Sequence, residues 1–488
     1  MTTSIDTVRR KNRISYIHAA IMIILMISGY FLPPFGQITP LGMRVFGVFL
    51  GLLFGWIFVG IVWPSVLGFF ALSLTGVTTP VMAIVEGFTN PTTTMVIMSY
   101  VLAYCLNKIG VNQAIAFWAM GKKIFVNRPW LFATALVLVT CLMGMLGGSF
   151  AAIFLMWGVT KTIADKNGME KGNLFVAMIY ALILFGGFSG GQVVPFFGGV
   201  IMYGGFLTEA TGVVVEGLQF LLMGELYTIL SMLAVILLIK LIFKPDASKF
   251  YLTEEMRQGY ANYKFSKKQK VGLVLLVSYF LALLLPSVFQ GTFWTILSTW
   301  GMVGMTILYV IVFSIWKDNQ GNDVCSMEEC FQEGIAWGPV LLFMSTIPLA
   351  TAMESEEVGI MATVNEWFTP IFQGMSPTVM LITIAILMGL LTQVLHNLVV
   401  AALFTPILAP IFIALGGNPI TFFFVLYISL SCSFGSPAAS MQAGLLYGHD
   451  EINVKHGYLL GWLYLIVTIV LVIVMIPLCN ILFAPFMP

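Results

Sequence analysis

Charge is what this sequence lacks. Lys and Arg number 22 and Asp and Glu 21 in 488 residues, 9% of the chain, where soluble domains carry about 25%. With 59% hydrophobic residues and a mean hydropathy of +0.99, the chain is expected to be an integral membrane protein. A net charge of +1 gives no electrostatic footprint for nucleic acid, and none is expected as a partner. Acidic residues are missing altogether from Gly87 to Ala164 and from Phe368 to His449. A proton pump or cation exchanger working through membrane carboxylates would need one in these stretches. Any ligand held there must be met by amides, hydroxyls, carbonyls and helix ends. That inventory suits a carboxylate or inorganic anion, and also a dehydrated Na+.

Catalytic motifs are missing too. The four histidines, His18, His396, His449 and His456, fall in no HExxH, and there is no GxSxG and no P-loop. No enzymatic activity, metal site or cofactor is expected. Of the six cysteines, Cys105, Cys141, Cys432 and Cys479 lie in apolar runs and read as small buried hydrophobes. Cys325 and Cys330 share a polar loop with no zinc partners nearby, so no metal site or disulfide framework follows. The first apolar run leads into Phe31-Leu32-Pro33-Pro34 without a small-residue cleavage site and reads as a retained span.

What is present is apolar sequence, in roughly ten to twelve runs of bilayer-crossing length, each about 17 to 25 residues. They predict an all-α polytopic membrane protein with about 11 transmembrane helices. Arg9, Arg10, Lys11 and Arg13 precede the first run, and seven further Lys and Arg residues fill the polar segment 244–270. The positive-inside rule puts both in the cytoplasm, giving a multi-pass protein of the cell (inner) membrane with a cytoplasmic N-terminus.

The chain also resembles itself. Segment 87–111 is similar to 336–360, with Pro91 and Pro339 separated by 339 − 91 = 248 positions. Segment 146–157 lines up with 396–407, where Ala151 and Ala401 differ by 401 − 151 = 250, and 185–199 lines up with 432–444. This divides the chain into a tail and first span (1–40), a first repeat (41–243), a cytoplasmic linker (244–270) and a second repeat (271–488). An odd number of spans per repeat would invert the second copy. The alternative is that apolar helices rich in Ala, Gly, Leu and Phe look alike.

Gly, Pro and polar clusters at 144–149, 186–191, 392–397 and 435–440 are read as helix breaks. Interrupted helices offer amides to anions and carbonyls to cations, and irregular backbone in a membrane is tolerated where it lines a cavity or is buried in protein. Close helix contact through small residues is the competing explanation.

The segments GFTNPTTTMVIMSYVLAYCLNKIGV (87–111), SMEECFQEGIAWGPVLLFMSTIPLATAMESEEVGI (326–360), TQVLHNLVVAALFTPI (392–407) and SFGSPAASMQAGLLYG (433–448) resemble the divalent anion/sodium symporters. These form the dicarboxylate transporter family of the ion transporter superfamily. The resemblance covers about residues 40 to 480 and marks the chain as a divergent member. It implies a homodimer in which a moving transport domain, with two re-entrant hairpins and broken helices, carries substrate by elevator-type alternating access. It also implies a Ser-Asn-Thr signature at each hairpin tip that contacts substrate carboxylate and Na+. Here Asn397 matches the second signature's asparagine, with His396 in the serine place and Leu398 in the threonine place. In the first copy Leu146, Gly147 and Gly148 occupy the three places, with Ser149 one step later. Of the two following proline-containing signatures, the first keeps Pro195 and the second keeps Ala439 and, as a hydroxyl, Ser440.

The expected function is secondary transport of a small organic anion, a di- or monocarboxylate, coupled to Na+ or H+ or run as exchange. Two alternatives stay open: a neutral or inorganic solute, and a non-transporting membrane sensor on the same fold. Expected substrate contacts are Asn397, His396, Gly147, Gly148, Ser149, Ser436 and Ser440, and expected ion contacts are Gly147, Gly186, Gly187, Ser189, Asn397 and Ala439. His396, with an unperturbed pKa of about 6.5, is a candidate coupling charge that attracts the anion when protonated.

Overall fold

The computed structural model describes residues 16–484 apart from 147, 148, 197, 216, 288, 290, 318–320, 322, 373 and 438. Among the described residues every long element is a helix, and β contacts are limited to two isolated bridges, Val126 with Leu252 and Lys317 with Asp323. Six helices come first: α1 (Tyr16–Ser28), α2 (Pro40–Phe58), α3 (Val62–Leu74), α4 (Pro80–Thr89), α5 (Pro91–Ile109) and α6 (Val111–Met120). Five follow before the linker: α7 (Pro129–Met145), α8 (Ser149–Lys166), α9 (Leu174–Gln192), α10 (Gly198–Thr211) and α11 (Leu218–Leu238).

The short α12 (Glu254–Ala261) lies in the linker. Beyond it run α13 (Lys267–Leu284), α14 (Thr292–Ile315), α15 (Met327–Glu333), α16 (Trp337–Glu354) and α17 (Ile360–Phe372). The last group is α18 (Pro377–Leu391), α19 (Asn397–Ala414), α20 (Pro419–Leu430), α21 (Met441–Gly448) and α22 (Val454–Leu482).

Many helices begin on one local device. Thr39, Thr79, Asn90, Ser376 and Asn418 each accept a backbone amide of the following turn, and each is followed by proline at the first helical position. The polar cap satisfies an amide that would otherwise be orphaned, and proline has no amide to satisfy. Among the described residues six helices are long and apolar enough to cross a bilayer, or up to eight if the bent pairs α5/α6 (52°) and α15/α16 (73°) are single spans. That count falls short of the expected eleven because α1, α3, α7, α18 and α20 are shorter apolar helices.

The order of elements recurs. A pair of helices meeting at a tip (α7/α8), a broken helix (α9/α10) and a long helix (α11) are repeated by α18/α19, α20/α21 and α22. The starts of α7 and α18 are 377 − 129 = 248 positions apart, and the ends of α8 and α19 are 414 − 166 = 248 apart. At the centre lies α9, which packs along α7 and α8 and is 89% buried over its span. Its counterpart α20 is buried at every residue and packs on α18, α19 and α22. By contrast α14 is only 22% buried, so its apolar surface faces outward, as a lipid-facing helix requires.

The polar linker is docked rather than loose. Arg257, 9% exposed, donates to the Gly121 carbonyl at 3.0 Å and to both carboxylate oxygens of Glu254. This guanidinium holds the Glu254 carboxyl below the usual carboxylate range. Asn167 at the end of α8 donates to the Tyr251 carbonyl at 2.8 Å, and Gln269 reaches the Gly110 carbonyl at 3.1 Å. Arg257→Ala is expected to speed tryptic cleavage at Lys249 and Lys264 in detergent-solubilised protein. An unchanged cleavage pattern would show that this clasp does not hold the linker down.

Candidate functional site

The interruption between α18 and α19 begins at Thr392 and ends at His396. A chain that breaks its helix inside the molecule frees carbonyls and amides, and each must find a partner. Gln393, 2% exposed, meets most of that need. Its Nε2 donates to the Gly389 carbonyl at 2.8 Å and to the Cys432 carbonyl at 3.1 Å. Its Oε1 accepts from the Gly435 amide at 2.6 Å, and its own carbonyl accepts from Ser436 Oγ at 2.6 Å. Beside it, buried Thr392 donates to the Leu430 carbonyl at 3.1 Å. The tip is thereby fastened to the second interruption, between α20 and α21, where Ser440 donates to the Ser433 carbonyl at 2.7 Å and caps α21. Tyr447 donates to the Phe434 carbonyl at 3.1 Å.

At the head of α19, His396 Nδ1 accepts from the Leu398 amide at 3.3 Å, and Asn397 Oδ1 accepts from the same amide at 2.9 Å. An accepting Nδ1 carries no proton, so the ring proton sits on Nε2. A neutral imidazole, together with Asn397, thus caps the helix in this arrangement. An imidazolium could not make this cap.

The first copy reaches the same layout by different means. Here α7 and α9 cross with their backbones nearly in contact: a Cβ on Gly144 would lie 2.2 Å from the Gly187 carbonyl oxygen, and one on Gly190 would lie 2.1 Å from the Cys141 carbonyl oxygen. Ser149, the first described residue of α8, is half-buried, and its Oγ comes within 2.3 Å of where a Gly191 Cβ would sit. No side chain larger than hydrogen fits at these crossings.

The two copies are joined by aromatic rings and tyrosine hydroxyls. Phe434, from the break after α20, packs on Phe185 and Phe188 of α9, and Phe188 in turn meets Phe150 edge-on at 5.1 Å. Tyr427 of α20 donates to the Gln192 carbonyl at 2.6 Å, capping the end of α9. Ser189 is hydrogen-bonded to Tyr464 of α22, and Tyr227 of α11 to Thr468 at 2.8 Å.

These contacts relocate several expected site residues. Among the described residues the break expected at 186–191 falls at 193–196, because α9 continues to Gln192. Gly186, Gly187 and Ser189 therefore lie inside an intact, buried helix, where the glycines permit close crossing and Ser189 bonds α22. Ser436 and Ser440 are both engaged with backbone carbonyls, and Ala439 is fully buried. Gly147 and Gly148 lie outside the described residues. The offset of 248 pairs Asn397 with Ser149 and His396 with position 148, two residues from the alignment by sequence at 250. The hydroxyl residue that looked misplaced in the first copy thus occupies the place of Asn397.

Three residues escaped the sequence reading. Gln393 carried its signal inside TQVLHN but is an ordinary polar residue until its partners, 39 to 43 positions away, are known. Glu225 is the lone acid in the apolar run 218–243, itself a functional signal in a membrane span. Its Oε1 is buried without a hydrogen-bond partner, as is Gln192 Oε1. Both flank one contact, since Gln192 precedes Val193 and Glu225 follows Gly224, whose Cβ position would lie 2.4 Å from Val193 Cβ.

A family model described as the sodium:sulfate symporter transmembrane region matches residues 11–484. A sodium-dependent dicarboxylate transporter of Staphylococcus saprophyticus is 25% identical over 175 residues, 36% of this chain and 33% of that protein. An uncharacterized transporter of Synechocystis is 32% identical over 156 residues, 30% of this chain and 24% of that protein. The matches thus span a third or less of these curated relatives. The crystal structure of the YdaH transporter of Alcanivorax borkumensis, described as having an unusual topology, is similar with a TM-score of 0.56 and 14% identity. It covers 84% of this chain and 89% of that one.

Replacing Gln393 by leucine would leave the Gly435 amide and the Cys432 carbonyl without their partner. A buried unsatisfied polar group costs about 1–3 kcal/mol, so thermal unfolding of the variant in detergent is expected several degrees lower. A melting curve matching the parent's would mean water or a rearranged tip replaces the clasp.

Proposed function

Because the chain belongs to the sodium:sulfate symporter family, we propose that it is a secondary transporter carrying a small organic anion, a di- or monocarboxylate, across the inner membrane with sodium. The observation that carries this reading is that α8 and α19 both start at interruptions within stretches that hold no acidic residue. Each helix N-terminus carries the positive end of its dipole, so an anion is favoured where two such ends open. At α19 the amides of Leu398, Val399 and Val400 are bonded within the chain, which leaves the dipole and the side-chain donors to meet it. Ser149, His396 and Asn397 stand at these ends. In this reading His396 substitutes for a serine hydroxyl as a neutral donor through Nε2, not as a coupling charge.

The names of the Staphylococcus relatives support sodium as the coupling ion and a dicarboxylate as substrate. We place the cation beside Val193, where Gln192 and Glu225 leave acceptor oxygens unpaired. A carboxylate there gives a desolvated cation a full countercharge, which helix carbonyls alone do not. A second reading concerns the substrate's body: Phe150, next to Ser149, is 38% exposed. That ring favours a monocarboxylate with an apolar tail over a fully polar dianion.

The topology follows from a cytoplasmic N-terminus and linker. The chain then makes about eleven crossings, with α7/α8 and α18/α19 as re-entrant hairpins from opposite faces, and with 41–243 and 271–488 as inverted repeats. Supporting this, the turn after α8 meets the loop after α21 through Lys171 with Asp450 and the Gly172 amide with Glu451. The loop after α1 meets the end of α16 through Thr39 and the Glu357 carbonyl. We further propose a homodimer and an elevator motion in which the hairpins, α9 to α11 and α20 to α22 move against the remaining helices.

Uptake of labelled succinate and of an aromatic monocarboxylate into proteoliposomes tests the proposal. A sodium gradient is expected to drive uptake that choline cannot, Asn397→Ala to lower it at least about tenfold, the weight of one lost charge-assisted hydrogen bond, and Glu225→Gln to weaken sodium dependence. Failure of every anion in counterflow would sink the transport reading, and sodium-independent uptake would sink the coupling. For His396, the serine variant is expected to retain transport and the phenylalanine variant to lose it. Any loss of activity on acidification should disappear in His396→Ser, because serine has no protonation to lose the cap by. Equal activity of the phenylalanine variant would remove the imidazole from the site.

A further inference from the structure

The loop cysteines that looked isolated in sequence have a third partner. Cys105, four residues before the end of α5, meets Cys325 and Cys330, which flank the start of α15. All three side chains are fully buried, and their sulfurs lie within 4.8 Å of one another, with Cys105 Sγ 3.5 Å from Cys330 Sγ. Cys325 Sγ is also 3.7 Å from the Cys105 carbonyl oxygen. The remaining cysteines, Cys141, Cys432 and Cys479, lie on α7, just past α20 and on α22, and belong to no such group.

From this cluster we propose a binding site for one thiophilic monovalent metal ion of the copper(I) type, coordinated by Cys105, Cys325 and Cys330. Soft thiolates select copper(I), zinc or iron–sulfur clusters, whereas structural zinc takes four ligands in a tetrahedron. Among the described residues no fourth His, Asp, Glu or Cys ligand atom joins the three sulfurs, and full burial leaves little room for water to supply one. Three ligands suit a trigonal ion. With a metal–sulfur bond of about 2.3 Å, a trigonal plane places its sulfurs about 4.0 Å apart, between the 3.5 Å of the Cys105–Cys330 pair and the 4.8 Å within which all three lie.

The binding step balances in charge and protons. Binding converts three thiols and one monovalent cation into a tris-thiolate complex of net charge −2 and releases three protons, with no change in oxidation state. Lys108, one turn beyond Cys105, lies close enough to Cys325 and Cys330 to feel their charge and is ion-paired with Glu329. The Tyr104 hydroxyl lies 2.9 Å from Glu329 and 2.7 Å from Glu333 and shares its one proton between them, so Lys108 and Tyr104 hold the carboxylates next to Cys330. The ion would tie α5 to the segment leading into α16, joining positions 225 residues apart.

Copper(I) titrated into purified, reduced full-length protein against a chromogenic copper(I) chelator tests the proposal, with native mass spectrometry as the count. One equivalent is expected to bind and to raise the melting temperature, and Cys105→Ser, Cys325→Ser and Cys330→Ser are each expected to weaken binding by at least tenfold. Binding that is absent in the parent, or unchanged in all three variants, would overturn the site. Tighter retention of zinc than copper(I) by the reduced protein would overturn the trigonal assignment. A disulfide among these cysteines in protein purified without reductant would replace the metal site by a redox pair. Because the parent's own titration decides the matter, a variant that fails to fold does not shelter the proposal.

Discussion

A polypeptide that stops being helical inside a membrane has to bond its freed backbone to itself, and at the second hairpin one side chain does most of this. With its two amide donors, its acceptor oxygen and its own carbonyl, Gln393 closes four hydrogen bonds within the α18/α19 tip and across to the α20/α21 break. Two interruptions in different helices thereby become one structural unit. The head of α19 is satisfied in the same way, by the His396 and Asn397 side chains and the His396 carbonyl.

The two copies solve the same problem with opposite chemistry. Glycines in α7 and α9 bring backbone against backbone, so these two helices of the first copy are held by van der Waals contact. The second tip is held by directional polar bonds. Contact through glycines tolerates small sliding, whereas a glutamine with every donor and acceptor engaged does not. The two interruptions are therefore alike in outline and held by different chemistry, and edge-on and tilted ring contacts through Phe150, Phe188 and Phe434 join them.

Much of the architecture was legible in the sequence because it rests on long-range regularities: absent charge, recurring apolar runs, and an offset near 250. The misplacements came where tertiary contact decides. Gly186-Gly187 reads locally as a helix breaker, and only the closeness of α7 explains glycines inside an unbroken α9. Alignment by residue type chose 250, while helix ends give 248, because apolar sequence carries few landmarks to fix a two-residue shift. The same blindness hid Gln393 and the meeting of Cys105 with Cys325 and Cys330, whose partners are dozens to hundreds of positions away. His396 and Asn397 stood out in the sequence because they are polar residues in a long apolar stretch.

The hydroxyl of Tyr427 on the Gln192 carbonyl sets a schedule for biosynthesis. The two residues are 235 positions apart, and ribosomes add about 5–20 residues per second. The end of α9 therefore emerges on the order of 10–50 seconds before its cap exists. During that interval the first copy must hold an open carbonyl against water, lipid headgroups or the insertion machinery. The first half of this chain thus matures only when the second half arrives, and a long residence at the insertion site is built into its making.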